Sequence, residues 1–228
     1  MTDLILWASL LLSVYLFLTI FYYLFGKAGI FCFVAITTII SKIFILKKVI
    51  IFEQTANLTT ITFLSILFSL NLITEKYNAK SAIKCTTLGM LINITFVLMI
   101  NFTLAFQNNE FDTSNIHFKI LFYNNSYSAL TVIGTYIIYI CQNINIYMYA
   151  ALKRKNMKIK WIKHNLTRFT TLFISYILIK ASVYVISHLY RDYDIDCIIK
   201  GSWIFVITIM ITDTFIYHFL TSLKVQEA

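Results

Sequence analysis

The chain has 228 residues, 59% of them hydrophobic and 13% charged, and a formal net charge of +9. A soluble domain carries roughly 25% charged residues, and the mean hydropathy of +0.77 leaves too little polar surface to wrap a water-facing globule. The composition therefore excludes an ordinary soluble domain and points to lipid as the solvent.

The apolar runs define an all-α integral membrane protein, a single transmembrane domain over residues 1–228, with about seven helices of the length a bilayer requires. The first runs from Leu4 to Leu24 without a charge. It follows Asp3, lacks a basic leader and exceeds a signal-peptide core, so it is expected to remain in the mature protein. The second runs from Ile30 to about Leu46 and contains Lys42; the third, from about Thr59 to Ile73, is short. If one of these two is re-entrant, the count falls to six. The fourth covers Cys85 to Phe106, the fifth Ala129 to Leu152, the sixth Leu166 to Tyr190 with Lys180 inside, and the seventh Cys197 to Leu220 with Asp213 inside. Proline is absent, so helices free of proline kinks are expected.

The segments between the runs assign sides. Lys153, Arg154, Lys155, Lys158, Lys160, Lys163 and Arg168 are concentrated after the fifth helix, the density that marks a cytoplasmic loop. Alternation then places Lys27, the group Lys76, Lys80 and Lys84, and Lys224 on that side as well. Glu110, Asp112, Asp192, Asp194 and Asp196 fall on the other, with the N-terminus outside and the C-terminus cytoplasmic. Lys42, Lys47, Lys48, Lys119, Arg191 and Lys200 run against the bias, and Lys180 is unassigned. The basic run reads first as a topology anchor and second as a site for anionic lipid head groups. Because the basic residues serve topology, no nucleic-acid partner is expected.

No catalytic motif is present: there is no GxSxG, HExxH or phosphate-binding loop. His117, His164, His188 and His218 are scattered, and Cys32, Cys85, Cys141 and Cys197 have no metal-binding spacing and read as apolar fillers. No metal or cofactor is expected, nor an enzyme. The abundance of Ile, Asn, Lys, Phe and Tyr follows A/T-rich codons, so triplets such as Asn57-Leu58-Thr59 and Asn165-Leu166-Thr167 need not mark glycosylation.

The informative residues are the polar ones inside the apolar runs, each costly in hydrocarbon unless it faces the interior. Asn71 and Glu75 are one helical turn apart and share a face. Gln142 and Asn145 share a face of the fifth helix, and their amides offer donors and acceptors suited to a base-like heterocycle. The alternative for such groups is interhelical hydrogen bonding; Asn143 points elsewhere and reads as packing. Lys180 and Asp213 are candidates for a buried charge pair, with an outward-snorkelling Lys180 the alternative. Lys42 has the same two readings, ligand contact or snorkelling.

The stretch from Thr62 through Asn71, Glu75, Tyr77, Asn78 and Ala82 to Gly89 resembles the queuosine precursor transporter family, also called the vitamin uptake transporter family. Its pattern there is a helix ending in Asp, then Glu, a residue, Tyr-Gly, and a later Ala and Gly. Lys42 matches a family lysine, Gln142 a family Gln, and Trp161 to Thr167 the family's Trp-Leu-Arg-Asn-Asn-Leu-Ser. The likeness covers roughly residues 37 to 176. This chain departs from the pattern at Asn71 and Asn145, where the family has Asp, and at Asn78, where it has Gly and where Asn can still take a left-handed turn. It also departs at Leu172 and Ser175 for Gln and Asp, and at Thr37 for Asn. The resemblance implies secondary import of a 7-deazaguanine base or nucleoside across a bacterial inner membrane. Gln142, Asn145, Asn71 and Glu75 would contact that purine-like small molecule, and Tyr77 or Tyr139 would stack on it. A substrate-binding subunit of a larger transporter and a non-transporting structural membrane protein are the other readings.

Overall fold

The computed structural model describes residues 2–51, 54–107, 112, 115–122, 125–155, 157, 159–187 and 195–223. Of the charges used above to assign sides, Glu110, Lys158, Arg191, Asp192, Asp194 and Lys224 lie outside the described residues, as does His188. The side chains of Lys48, Asp196, Cys197 and Lys200 lie outside them too.

Among the described residues the chain forms seven helices and one short hairpin. They are α1 (Thr2–Phe44), β1 (Lys48–Ile51), β2 (Gln54–Asn57), α2 (Thr59–Lys76), α3 (Ala79–Ala105), α4 (Asn115–Phe122), α5 (Asn125–Arg154), α6 (Lys160–Ser187) and α7 (Ile195–Ser222). Within the described residues every apolar run of the sequence lies in a helix, but the partition differs. The first two runs join as one element, α1, broken only at Gly26, whose φ of 54° and ψ of −128° lie outside helical space. That positive φ favours glycine. The two arms of α1 then pass so close that a Cβ on Gly29 would sit 1.9 Å from the carbonyl oxygen of Phe21. Both short runs, the second and third, are present as helices. A small helix, α4, is additional.

Contacts at the helix ends show that successive long arms run antiparallel. The Lys27 ammonium sits 5.4 Å from the Tyr77 ring centroid. Lys76 donates to the carbonyl of Leu223 at 2.7 Å, and Lys153 to those of Thr74 and Glu75 at 3.0 and 2.6 Å. The bend of α1, the C-terminal ends of α2, α5 and α7 and the start of α3 therefore share one end of the bundle, rich in lysine. The antiparallel hairpin, with Val49 opposite Ala56, belongs to the other end, where Asn57 donates to the Ile45 carbonyl.

The surface is apolar and the interior carries polar groups, as expected in lipid. Leu16, Phe102, Phe173 and Phe215 are exposed, whereas Asn71, Asn145, His164, Arg168 and Asp213 are fully buried. In α7 the exposed Ile211, Phe215 and Phe219 alternate with buried Ile209, Asp213 and Tyr217 at helical spacing. Three helical segments, Asp3–Phe44, Ala79–Ala105 and Phe205–Ser222, are long and apolar enough to cross a membrane by length and composition alone. α2 is not one of them, because it is the central helix: it packs against α1, α3, α5, α6 and α7 and is buried almost continuously from Ile61 to Thr74. Its Ser and Thr hydroxyls return to carbonyls of the preceding turn, as Ser65 does to Thr62 and Ser69 to Ser65. At 18 residues it spans about 27 Å.

The turn from α2 to α3 is tight. Tyr77 ends α2, and Asn78 opens α3 in extended conformation, its side chain accepting from the Ser81 N–H at 2.8 Å. Asn78 therefore does not take the left-handed conformation open to it. The residue acts as a helix N-cap, a role Asn performs well and Gly performs without a side-chain acceptor.

Candidate functional site

Two regions of the bundle bring polar side chains together, one above the other along α5. The first is a cavity of about 270 Å³, close to the lower bound of roughly 300 Å³ for small-molecule pockets. α1 contributes Thr38, Ser41 and Lys42 to its wall, and α2 contributes Thr62, Phe63 and Ile66. α3 adds Asn93, α5 Ile138 and Gln142, α6 Leu172, Ser175 and Tyr176, and α7 Trp203 and Val206. Ile45, Thr59 and Thr60 also border it, which places it in the half of the bundle toward the hairpin. Lys42 is buried at 6% exposure, with its ammonium 3.4 Å from Thr135 Oγ1, so it points inward rather than snorkelling. Gln142 is buried at 7%.

The second region begins one turn below Gln142 and extends to the lysine-rich end. The Asn145 and Asn71 amides meet at 2.7 Å. Asn71 also contacts His164 Nδ1 at 3.1 Å and Thr167 Oγ1 at 3.2 Å. These two asparagines, each standing where the resemblance expects Asp, are thus partners; two carboxylates at that separation could not both ionise. Below them, Glu75 accepts from Tyr149 at 3.0 Å and pairs with Lys163 at 3.2 Å, while Tyr149 and Tyr217 share a 2.6 Å hydrogen bond. The stripe Gln142, Asn145, Tyr149 of α5 therefore faces the stripe Asn71, Glu75 of α2.

Beside this ladder Arg168 clamps Asp213. Its two terminal nitrogens reach the two carboxylate oxygens at 2.8 and 2.7 Å, and the Tyr15 hydroxyl donates to the same carboxylate. Such a bidentate, fully buried arrangement is among the stronger protein hydrogen-bonded pairs. His164 links the clamp to the asparagines: its Nε2 lies 2.9 Å from Arg168, and its ring stacks on Tyr217 with centroids 3.8 Å apart.

The site residues expected from sequence divide accordingly. Gln142 and Lys42 line the cavity. Asn71, Asn145 and Glu75 face the interior, but in the ladder beneath it. Tyr77 and Tyr139 do not line the cavity; Tyr77 lies at the lysine-rich end under Lys27, and the aromatic walls are Phe63, Tyr176 and Trp203. The expected Lys180–Asp213 pair is replaced by Arg168–Asp213, and the Lys180 ammonium lies 5.9 Å from the Tyr176 ring centroid. Arg168, assigned by sequence to the basic loop, is fully buried two turns into α6. Its spacing of one turn from His164 was the available signal. Asn143 returns to the Tyr139 carbonyl, a packing role as expected, and the two triplet asparagines are engaged, Asn57 with Thr59 and Asn165 with Thr214. Among the described residues no group of three His, Cys, Asp or Glu side chains could hold a metal ion.

Residues 57–225 match the family model described as "Putative vitamin uptake transporter". A curated relative, "Probable queuosine precursor transporter" of Bacillus subtilis (strain 168), is 24% identical over 161 residues, 69% of each chain. No solved structure matches. With the family match covering most of its length, and with helices long and apolar enough to cross a membrane, the chain belongs to the vitamin uptake transporter family.

Proposed function

We propose that the protein imports a queuosine precursor, a 7-deazaguanine base or nucleoside, across the bacterial inner membrane by secondary transport. The observation that carries this reading is the cavity itself: Gln142 and Lys42 converge on a space of about 270 Å³ walled by Phe63, Tyr176 and Trp203. A flat base presents an edge to the amide and ammonium and its faces to the rings. The volume suits a base better than a nucleoside. Binding and release require no bond to be made or broken, so the protein acts as a carrier and not as an enzyme.

The clustering of Lys27, Lys76, Lys153 and Lys163 at one end supports the orientation with that end cytoplasmic and the N-terminus outside. The cavity then lies toward the outer side, and the ladder Asn145–Asn71, Tyr149–Glu75–Lys163 closes the route inward. Alternating access would part this ladder. Asn71, Asn145 and Glu75 thereby act on passage, while Gln142 and Lys42 hold the substrate. With the facing pair of asparagines uncharged, half-buried Glu75 and buried Asp213 are, among the described residues, the carboxylates that face the interior and could couple an ion gradient. The basic end would also meet anionic lipid head groups.

The test is rescue of tRNA queuosine in a bacterium unable to make or import the precursors, fed precursor and expressing this chain. Rescue that is lost in Gln142→Ala at equal membrane abundance is expected; absence of rescue by wild-type protein at confirmed abundance would contradict the substrate assignment.

A further inference from the structure

Asn93 of α3 is a polar residue for which the fold offers no internal use. It is buried at 6% exposure and lines the cavity, yet its Oδ1 has no hydrogen-bond partner among the described residues. An orphaned buried carbonyl is costly unless something completes it.

Its position is set by close helix packing. A Cβ on Gly89 would lie 3.5 Å from Thr38 Oγ1, so α3 approaches the second arm of α1 at that level. Both helices run away from the lysine-rich end. One turn further along each, about 6 Å on, stand Asn93 and Lys42. Asn93 offers an acceptor and Lys42 a donor, on adjacent helices and at the same depth of one cavity.

We propose that Asn93 is a substrate-contacting residue that, with Lys42, selects a heterocycle bearing a lactam edge. The ring N–H of the lactam donates to Asn93 Oδ1, and the neighbouring carbonyl accepts from the Lys42 ammonium. An amino-type heterocycle inverts both groups: its ring nitrogen sets a lone pair against Oδ1, and its amino group sets N–H against the ammonium. Sites built on such polar complementarity reject the mismatched analogue far more strongly than apolar pockets do. This inference deepens the reading of the cavity as the substrate site and rests on it.

The experiment measures binding of 7-deazaguanine and 7-deazaadenine to the purified full-length protein in lipid nanodiscs. Wild-type protein binds 7-deazaguanine in preference. Asn93→Leu weakens that binding about tenfold to a hundredfold and erases the preference, whereas Asn93→Gln, which retains the carboxamide, weakens it less and keeps the preference. Unchanged affinity and preference in Asn93→Leu overturns the inference, as does a wild-type preference for 7-deazaadenine. If Asn93→Leu does not fold, Asn93→Gln decides: loss of the preference there overturns it. Asn93-dependent selectivity without rescue of tRNA queuosine would leave this inference standing and remove the precursor assignment; binding of neither base would remove both.

Discussion

The two halves of the bundle are built from the same helices but spend their polar residues differently. In the half toward the hairpin, Lys42, Asn93, Gln142 and Ser175 border a void, and a buried acceptor is left over. In the half toward the lysines, most polar side chains meet each other across helices: Asn71 with Asn145, Glu75 with Tyr149 and Lys163, and Asp213 with Arg168 and Tyr15; Asn165 Oδ1 and Arg168 Nε are left over there, but neither residue borders the cavity. A filled polar ladder holds helices in one arrangement, whereas polar groups around a void are available to a ligand. Substitutions below should therefore cost stability, and substitutions above should cost affinity.

The largest expected effect is on the clamp. Asp213→Ala strands a buried guanidinium and should destabilise the protein by about 3–5 kcal/mol, read as lower membrane abundance and a lower Tm in detergent; a Tm equal to wild type would break the contrast. Gln142→Ala, one turn above the ladder, should weaken binding of a 7-deazaguanine base about tenfold with little change in Tm, and a large loss of Tm with intact affinity would reverse the assignment of halves. The smallest effect belongs to Glu75→Gln. It removes the Lys163 ion pair but keeps an acceptor for Tyr149, and should cost about 1 kcal/mol or less in stability. Its equilibrium affinity for the base should be unchanged while the uptake rate shifts; an affinity change as large as that of Gln142→Ala would place Glu75 in the binding half.

The helices were legible because each apolar run exceeds what a soluble domain of this size can hide. The third run, one of the two short ones, is the central helix for a physical reason: α2 is surrounded by other helices, so it needs no lipid-facing stripe and carries Thr62, Ser65, Ser69, Asn71 and Thr74. The stripes Asn71–Glu75 and Gln142–Asn145 followed from helical spacing alone. What spacing could not give was which stripe opposes which void. Lys180 and Asp213 both lie inside apolar runs of the last two helices, but that does not fix which way each faces, and Arg168 meets Asp213 instead. Arg168 itself was hidden in a run of cytoplasmic cations. Asn93 was masked by the general excess of asparagine, and only its unpartnered oxygen beside a cavity separates it from the others.

The proposed transport puts the substrate in the cavity and not in the ladder. Trp203 lines that cavity, while Trp7 packs on Phe205 and Trp161 is exposed, so a Trp7→Phe, Trp161→Phe protein reports from the cavity wall. Titrating it with a 7-deazaguanine base should quench Trp203 fluorescence saturably, at about tenfold higher concentration in the Gln142→Ala background and at an unchanged concentration in the Glu75→Gln background. Uptake of the same base by this protein without any saturable change at Trp203 would place the substrate outside the cavity.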